Sequence, residues 1–387
     1  MPRQEPAAET AAREALTAVD EPRLRVPITD LGMVQGVAVD GSSAVVALAE
    51  PLPQGPAWAE LSRRVEAAVS AVPGVKRVDV DLREMTDGEK VLAARFLKGE
   101  PPPNPLAVMD AAAAPSAGAR TRVNPFTDAR TRVLAIASGK GGVGKSSVTT
   151  NLSIALAERG RDVAVVDADV WGFSLPRMLG IAEPPGLIDD VLVPPEAHGV
   201  RLISMGFFTA EDQAVIWRGP MLHKALEQFL TDVHWGEPDY LVIDLPPGTG
   251  DISLSIAQFL PRAEVIVVTT PQPAAQKVAQ RAAAMAEKVE LDVIGVVENM
   301  SWFRGDDGKQ YDLFGSGGGQ ALADQVGVPL LGQIPLVPVL REGGDDGHPI
   351  VVAHPDDDAA QIFRHIAEVV DTQIKPRRRN HPELKIG

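Results

Sequence analysis

There is no cysteine among the 387 residues. That excludes disulfides, thiolate zinc sites and all-cysteine ligation of an iron–sulfur cluster by this chain. Basic residues are also scarce: 37 Lys and Arg against 52 Asp and Glu leave a net charge of −15, with a pI near 5.0. This balance argues against a general binder of nucleic acid or anionic membrane and favours solubility. No stretch approaches the roughly 20 apolar residues of a membrane span. The polar start, Met1-Pro2-Arg3-Gln4-Glu5-Pro6, has no apolar signal-peptide core. A cytoplasmic location is the expectation.

The hydrophobic fraction of 45% with 23% charged is that of a globular protein. At roughly 100–200 residues per domain the length predicts two or three units. Residues 9–19 carry an apolar helical face at Ala12, Leu16 and Val19, stopped by Asp20-Glu21-Pro22. Residues 37–39 and 44–48 flank Asp40-Gly41 as a hairpin. A helical pattern from Trp58 to Val72 ends at Pro73-Gly74, residues 75–82 alternate as a strand, and Thr86-Asp87-Gly88-Glu89 is a capping box for a helix through Leu97. Together these predict a small α+β domain over residues 8–98. From 99 to 130 prolines and small residues replace any periodicity, which predicts an extended linker.

The stretch Ser138-Gly139-Lys140-Gly141-Gly142-Val143-Gly144-Lys145-Ser146-Ser147 follows an apolar run and precedes a helical pattern. This strand–loop–helix setting reads as a P-loop for ATP: backbone N–H groups of the loop cradle phosphates, Lys145 supplies charge, and Ser146 can hold Mg²⁺. Beyond it, strand runs at 162–167, 200–205, 240–244, 264–269, 293–298 and 330–334 alternate with helical stretches at 221–233, 273–289, 319–326 and 358–374. Continuously apolar strands suit burial on both faces of a parallel sheet. Residues 131–375 are therefore expected to form a doubly wound, mainly parallel α/β domain with ligands at the carboxyl ends of its strands, and 376–387 a basic tail. Lys375, Arg377, Arg378 and Arg379 in that region read as solvated charge. Leu241 to Ile243 followed by Asp244 forms a Walker B element in which Asp244 would hold Mg²⁺, with Gly248 and Thr249 as a second switch. Gly315 to Gly319 imitates a dinucleotide loop but follows no strand, and reads as a flexible helix start. The apolar spacing of Ile362, Phe363, Ile366, Val370 and Ile374 is accompanied by several carboxylates, which favours core packing over attachment to an anionic bilayer.

The extra Lys140, the Asp167-Ala168-Asp169 segment, Asp244 to Asp251, Glu298-Asn299-Met300-Ser301 and Tyr311 to Gly315 together resemble the Mrp/ApbC iron–sulfur carriers. These belong with MinD, ParA and nitrogenase iron protein among the deviant P-loop ATPases. The first domain is similar to the SufT/PaaD type found in cluster-assembly proteins. The resemblance implies a homodimeric, Mg²⁺-dependent ATPase that holds a bridging iron–sulfur cluster and delivers it to apoproteins; the acidic charge balance separately predicts neither membrane nor nucleic acid as partner. It implies that Lys140 reaches the partner's nucleotide, that Asp169 positions the attacking water, that Asp167 stands near the Mg²⁺ shell, and that Asn299 hydrogen-bonds adenine. Plainer readings are a solvated lysine, loop-capping aspartates and a turn-forming asparagine. The family's Cys-x-x-Cys interval reads here Trp302-Phe303-Arg304-Gly305-Asp306-Asp307-Gly308-Lys309-Gln310, with no identifiable cluster ligand. Cluster assembly with ligands lost or supplied by a partner, or a ParA/MinD-like nucleotide-gated scaffold without a cluster, are the readings that remain. An inactive scaffold is disfavoured because both lysines, Asp169 and Asp244 are present.

Overall fold

The computed structural model describes residues 7–100, 124–127, 130–169, 172–208, 219–248 and 251–375. In chain order the first elements are α1 (Ala7–Leu16), β1 (Val34–Asp40), β2 (Ser43–Glu50), α2 (Pro56–Ser70), β3 (Arg77–Glu84) and α3 (Asp87–Leu97). There follow β4 (Arg132–Ser138), α4 (Lys145–Glu158), β5 (Val163–Asp167), α5 (Leu175–Met178), β6 (Gly186–Ile188), β7 (Val191–Val193), β8 (Glu196–Ala197) and β9 (Val200–Ser204). Next come α6 (Gly219–Thr231), β10 (Tyr240–Asp244), α7 (Asp251–Phe259), β11 (Glu264–Thr269), α8 (Pro273–Lys288) and β12 (Asp292–Asn299). The last are β13 (Phe303–Arg304), β14 (Gln310–Tyr311), α9 (Gly318–Val326), β15 (Leu330–Ile334), α10 (Pro338–Asp346), α11 (Ile350–Ala353) and α12 (Asp358–Glu368). Thr249, most of the linker and the tail beyond 375 lie outside the described residues.

The chain divides into two compact units. One contains the described N-terminal residues together with Pro185–Pro194 and Asp232–Gly236, two segments that the sequence reading assigned to the ATPase stretch. Its three-stranded sheet pairs β1 with β2 antiparallel and β2 with β3 parallel. Helices α1 and α2 cover it with the expected apolar positions Ala12, Leu16, Leu61, Val65 and Val69, all buried. The β6–β7 hairpin adds Ile188, Val191 and Val193 to the same core. At α3 the capping box forms: Thr86 Oγ1 accepts from Glu89 N at 3.4 Å and Glu89 Oε2 accepts from Thr86 N at 2.8 Å.

The other unit is an α/β layer structure around an eight-stranded sheet in the order β15-β12-β11-β4-β10-β5-β9-β8. Every pairing is parallel except β8 with β9 at the edge. Strands β5, β9, β10 and β11 are buried at every position, which accounts for the apolar runs of β5, β10 and β11. Helix α4 is buried almost all round, and Phe363, Ile366 and Val370 of the C-terminal segment enter the same core, as their spacing predicts. Central β4 delivers the P-loop at its carboxyl end, between the ends of β10 and β11.

Candidate functional site

The P-loop backbone explains its glycines. Gly142 and Gly144 adopt φ of +76° and +79°, a region that side chains disfavour. A Cβ at Gly139 would fall 2.2 Å from the carbonyl carbon of Val278 in α8, so glycine alone permits that approach. The loop opens onto a cavity of ≈ 330 Å³ lined by Ser138, Lys140 to Ser147, Asp169, Gly172, Ser174, Met178 and Pro247. Gly248, φ +100°, donates its N–H to Ser138 O at 2.9 Å and so ties the segment after β10 to the base of the loop.

Asp244 is the hub. Its Oδ2 accepts from Ser146 Oγ at 2.6 Å and lies 2.7 Å from Lys145 Nζ, while Oδ1 accepts from Thr149 Oγ1 at 2.6 Å. Lys145 is also 3.5 Å from Asp169 Oδ2, which places one buried ammonium between two carboxylates. Asp167, in register with Asp244 on the neighbouring strand, accepts from Asp169 N, Leu175 N and Ser204 Oγ. Burial, then the nearby Asp244 charge, pushes Asp167 up to about 7 against the pull of Ser204 and Lys145. Ser146, Asp244 and Asp167 are hard oxygen donors, the kind that fit a Mg²⁺ ion.

Lys140 Nζ donates to Gln272 Oε1 at 3.0 Å. Asn299 is buried behind the loop: its Nδ2 donates to Val143 O at 2.9 Å, and its Oδ1 is buried without a partner. The amide nitrogen thus braces the P-loop, and a Cβ at Gly144 would lie 2.1 Å from it. Thr149, Ser204 and Gln272 escaped the sequence reading. Thr149 had one available signal, its place one turn after Ser146 on the same helix face.

Gly317 to Gly319 do begin a helix, α9: Gly317 caps it at φ +75°, and close packing explains the two glycines that follow. A Cβ at Gly318 would lie 2.4 Å from Pro271 O, and one at Gly319 would lie 2.6 Å from Cβ of Glu298, whose carboxylate accepts the Gly319 N–H. The interval after Ser301 is a small hairpin in which Phe303 pairs with Tyr311 and Arg304 with Gln310. Asp307 is spent within it, accepting from Lys309 N at 3.1 Å and Tyr311 OH at 2.9 Å, and these two bonds hold its carboxyl below the usual range. Among the described residues no group of three or more His, Asp or Glu is arranged to hold a metal ion. Nor is any helix among them long and apolar enough to cross a membrane.

Residues 129–371 match the family described as NUBPL iron-transfer P-loop NTPase, and residues 9–81 match the family described as iron-sulfur cluster assembly protein. Among curated proteins, the iron-sulfur cluster carrier protein of Mycobacterium bovis is 43% identical over 386 residues, 97% of this chain and 96% of that protein. Its counterpart in Synechocystis is 38% identical over 374 residues, covering 94% and 97%. A solved nucleotide-binding protein from Archaeoglobus fulgidus in complex with ADP is 34% identical, with a TM-score of 0.52, and covers 60% of this chain and 91% of its own.

Proposed function

The chain belongs to the iron–sulfur cluster carrier family of P-loop NTPases, and on that premise we propose that it is a Mg²⁺-dependent ATPase acting as a homodimer in iron–sulfur cluster assembly. One observation carries the nucleotide chemistry: Asp244 gathers Lys145, Ser146 and Thr149 at the mouth of the P-loop, beside Asp167 and Asp169. Ser146, Asp244 and Asp167 would hold Mg²⁺, which supplies positive charge at the β- and γ-phosphates. Lys145 leaves its carboxylates for the phosphates, and the loop N–H groups donate hydrogen bonds to the remaining phosphate oxygens. Asp169 orients a water toward the γ-phosphate, so that ATP and water give ADP and phosphate. Lys140 stabilises the charge that develops on the nucleotide of the second copy, in the manner of an arginine finger. In its own chain its ammonium meets a neutral amide, which leaves it suited to an anionic acceptor from elsewhere. A role of Asn299 in recognising adenine rests on the family resemblance alone, whereas Gly248, tied to the P-loop base and followed by Thr249, supports a switch there.

The cluster is cargo, and the residues of this chain do not fit it. Without cysteine, and with Asp307 committed to its own hairpin, the interval 302–310 offers oxygen and guanidinium groups to a soft iron–sulfide core. The ligands for any cluster that is passed on therefore belong to a protein partner, either an assembly protein or the recipient apoprotein. The same observation supports a second reading, a nucleotide-gated scaffold of the ParA or MinD kind.

Two measurements test this. Lys145→Ala should lower kcat by at least about 100-fold, and Lys140→Ala should keep nucleotide binding while turnover falls by about 10³-fold. Wild-type turnover in either variant removes the role given to that lysine. Anaerobic reconstitution with iron and sulfide should leave the purified protein without stoichiometric cluster, with or without ATP. Stoichiometric iron and labile sulfide on it would overturn the assignment of the ligands to a partner.

A further inference from the structure

We infer that Gln272 is a positioning residue for Lys140: it holds the Lys140 ammonium within its own chain, and turnover requires that this hold be released. The inference rests on the reading of Lys140 as the lysine that serves the nucleotide of a second copy. Its ground is the 3.0 Å hydrogen bond from Lys140 Nζ to Gln272 Oε1, made between two segments that are themselves fixed.

On the loop side, Ser138 Oγ donates to Lys140 O at 3.1 Å, and Gly139 packs directly on the backbone of α8. On the other side, Gln272 is the extended N-cap of α8, followed by Pro273, and Gln276 Nε2 donates to Pro271 O at 3.1 Å. A lysine side chain has four freely rotating carbons, so a bond to a braced acceptor decides where its charge points. The two lysines of the loop are held differently. Lys145 is buried between Asp244 and Asp169, whereas Lys140 is half-buried and meets a neutral amide. An ammonium–amide bond is weaker than an ammonium–carboxylate or ammonium–phosphate bond. It is strong enough to hold the side chain in place and weak enough to yield to a polyphosphate.

The two substitutions at this position should therefore act in opposite directions. Gln272→Glu turns the contact into an ion pair and should lower kcat roughly five- to tenfold with KM for ATP unchanged. Gln272→Ala frees the lysine. It should raise turnover at low protein concentration by a few-fold and shift half-maximal activity to lower concentration. In sedimentation with a non-hydrolysable ATP analogue, dimer formation should weaken in the Glu variant and strengthen in the Ala variant. If Gln272 served α8 alone, both variants would lose activity and melting temperature together, and that outcome overturns the inference while leaving an inactive Lys140→Ala, and hence the role of Lys140, intact. Wild-type turnover in Lys140→Ala would instead remove the reading on which the inference stands.

Discussion

Glu50 shows how much a single residue can hide from the sequence. It ends β2 almost completely buried beside the equally buried Glu21, and Arg23 serves both carboxylates. Arg23 Nη2 donates to Glu50 Oε1 at 2.9 Å, while Glu50 Oε2 is buried without a partner. Burial first, then the Glu21 charge, push Glu50 from 4.5 up to about 8, with Arg23 pulling the other way. The folded chain therefore binds this proton more tightly than the unfolded chain. Its stabilising effect is complete below about 4.5, declines as pH rises from there to about 8, and is gone above. Glu50→Gln should flatten the pH dependence of urea unfolding across that window and gain stability relative to the parent toward pH 9. A difference between the two that does not change with pH would show that Glu50 stays ionised when folded. The nucleotide site was more legible than this pair because its chemistry is local in sequence. Lys145 and Ser146 follow the glycines directly, and Asp244 ends an unmistakable apolar strand. Thr149, Ser204 and Gln272 take their roles from partners 95, 37 and 132 residues away, and no local pattern records such a meeting.

Elements long enough to show a period were readable; the short ones were not. Strands β10 and β11 lie where their apolar runs predict, whereas β6 to β8, β13 and β14, of two or three residues each, show no alternation. Helix α7 carries Ile252, Leu254 and Ile256 at every second position, the spacing of a strand, although Ile252, Ile256 and Leu260 are the buried set and Leu254 is exposed. Capping was legible at α3 because the signal is four residues long. Thr86 and Glu89 satisfy each other's backbone N–H groups, and Arg83 reinforces Glu89 with Nη1 at 2.9 Å and Nη2 at 2.6 Å from its carboxylate. Thr86→Ala should cost about 1 kcal/mol in the unfolding of this unit, read from a urea midpoint at unchanged slope. Thr86→Ser should restore most of it. Equal losses in both variants would assign the effect to packing of the threonine methyl group instead.

At the scale of the molecule, the sequence suggests a small α+β domain over residues 8–98, and the core of that unit also takes in residues from further along the chain. Ile188, Val191 and Val193 are buried in the same cluster as Leu48, Leu52 and Leu61, and a Cβ at Gly186 would lie 2.6 Å from Leu52. Lys98 is paired with Asp190, and His234 Nε2 lies 2.9 Å from Leu24 O, so that nitrogen carries the proton. All of these partners enter the chain more than 80 residues after α3, from within the stretch that also builds the nucleotide site. No composition shift or periodicity marks such an exchange, because each strand of the hairpin is only three residues long and the Asp189-Asp190 turn between them breaks any run. Each fully buried aliphatic side chain is worth about 1.5–3 kcal/mol, against a total stability of about 5–15 kcal/mol for an ordinary domain. A fragment of residues 1–100 should therefore unfold at clearly lower urea concentration than the same unit in the full chain. Adding residues 185–194, fused or as a separate peptide, should recover part of the difference. If the fragment alone unfolds cooperatively at the full-chain midpoint, the hairpin is peripheral to that core and the first domain is an independent module after all.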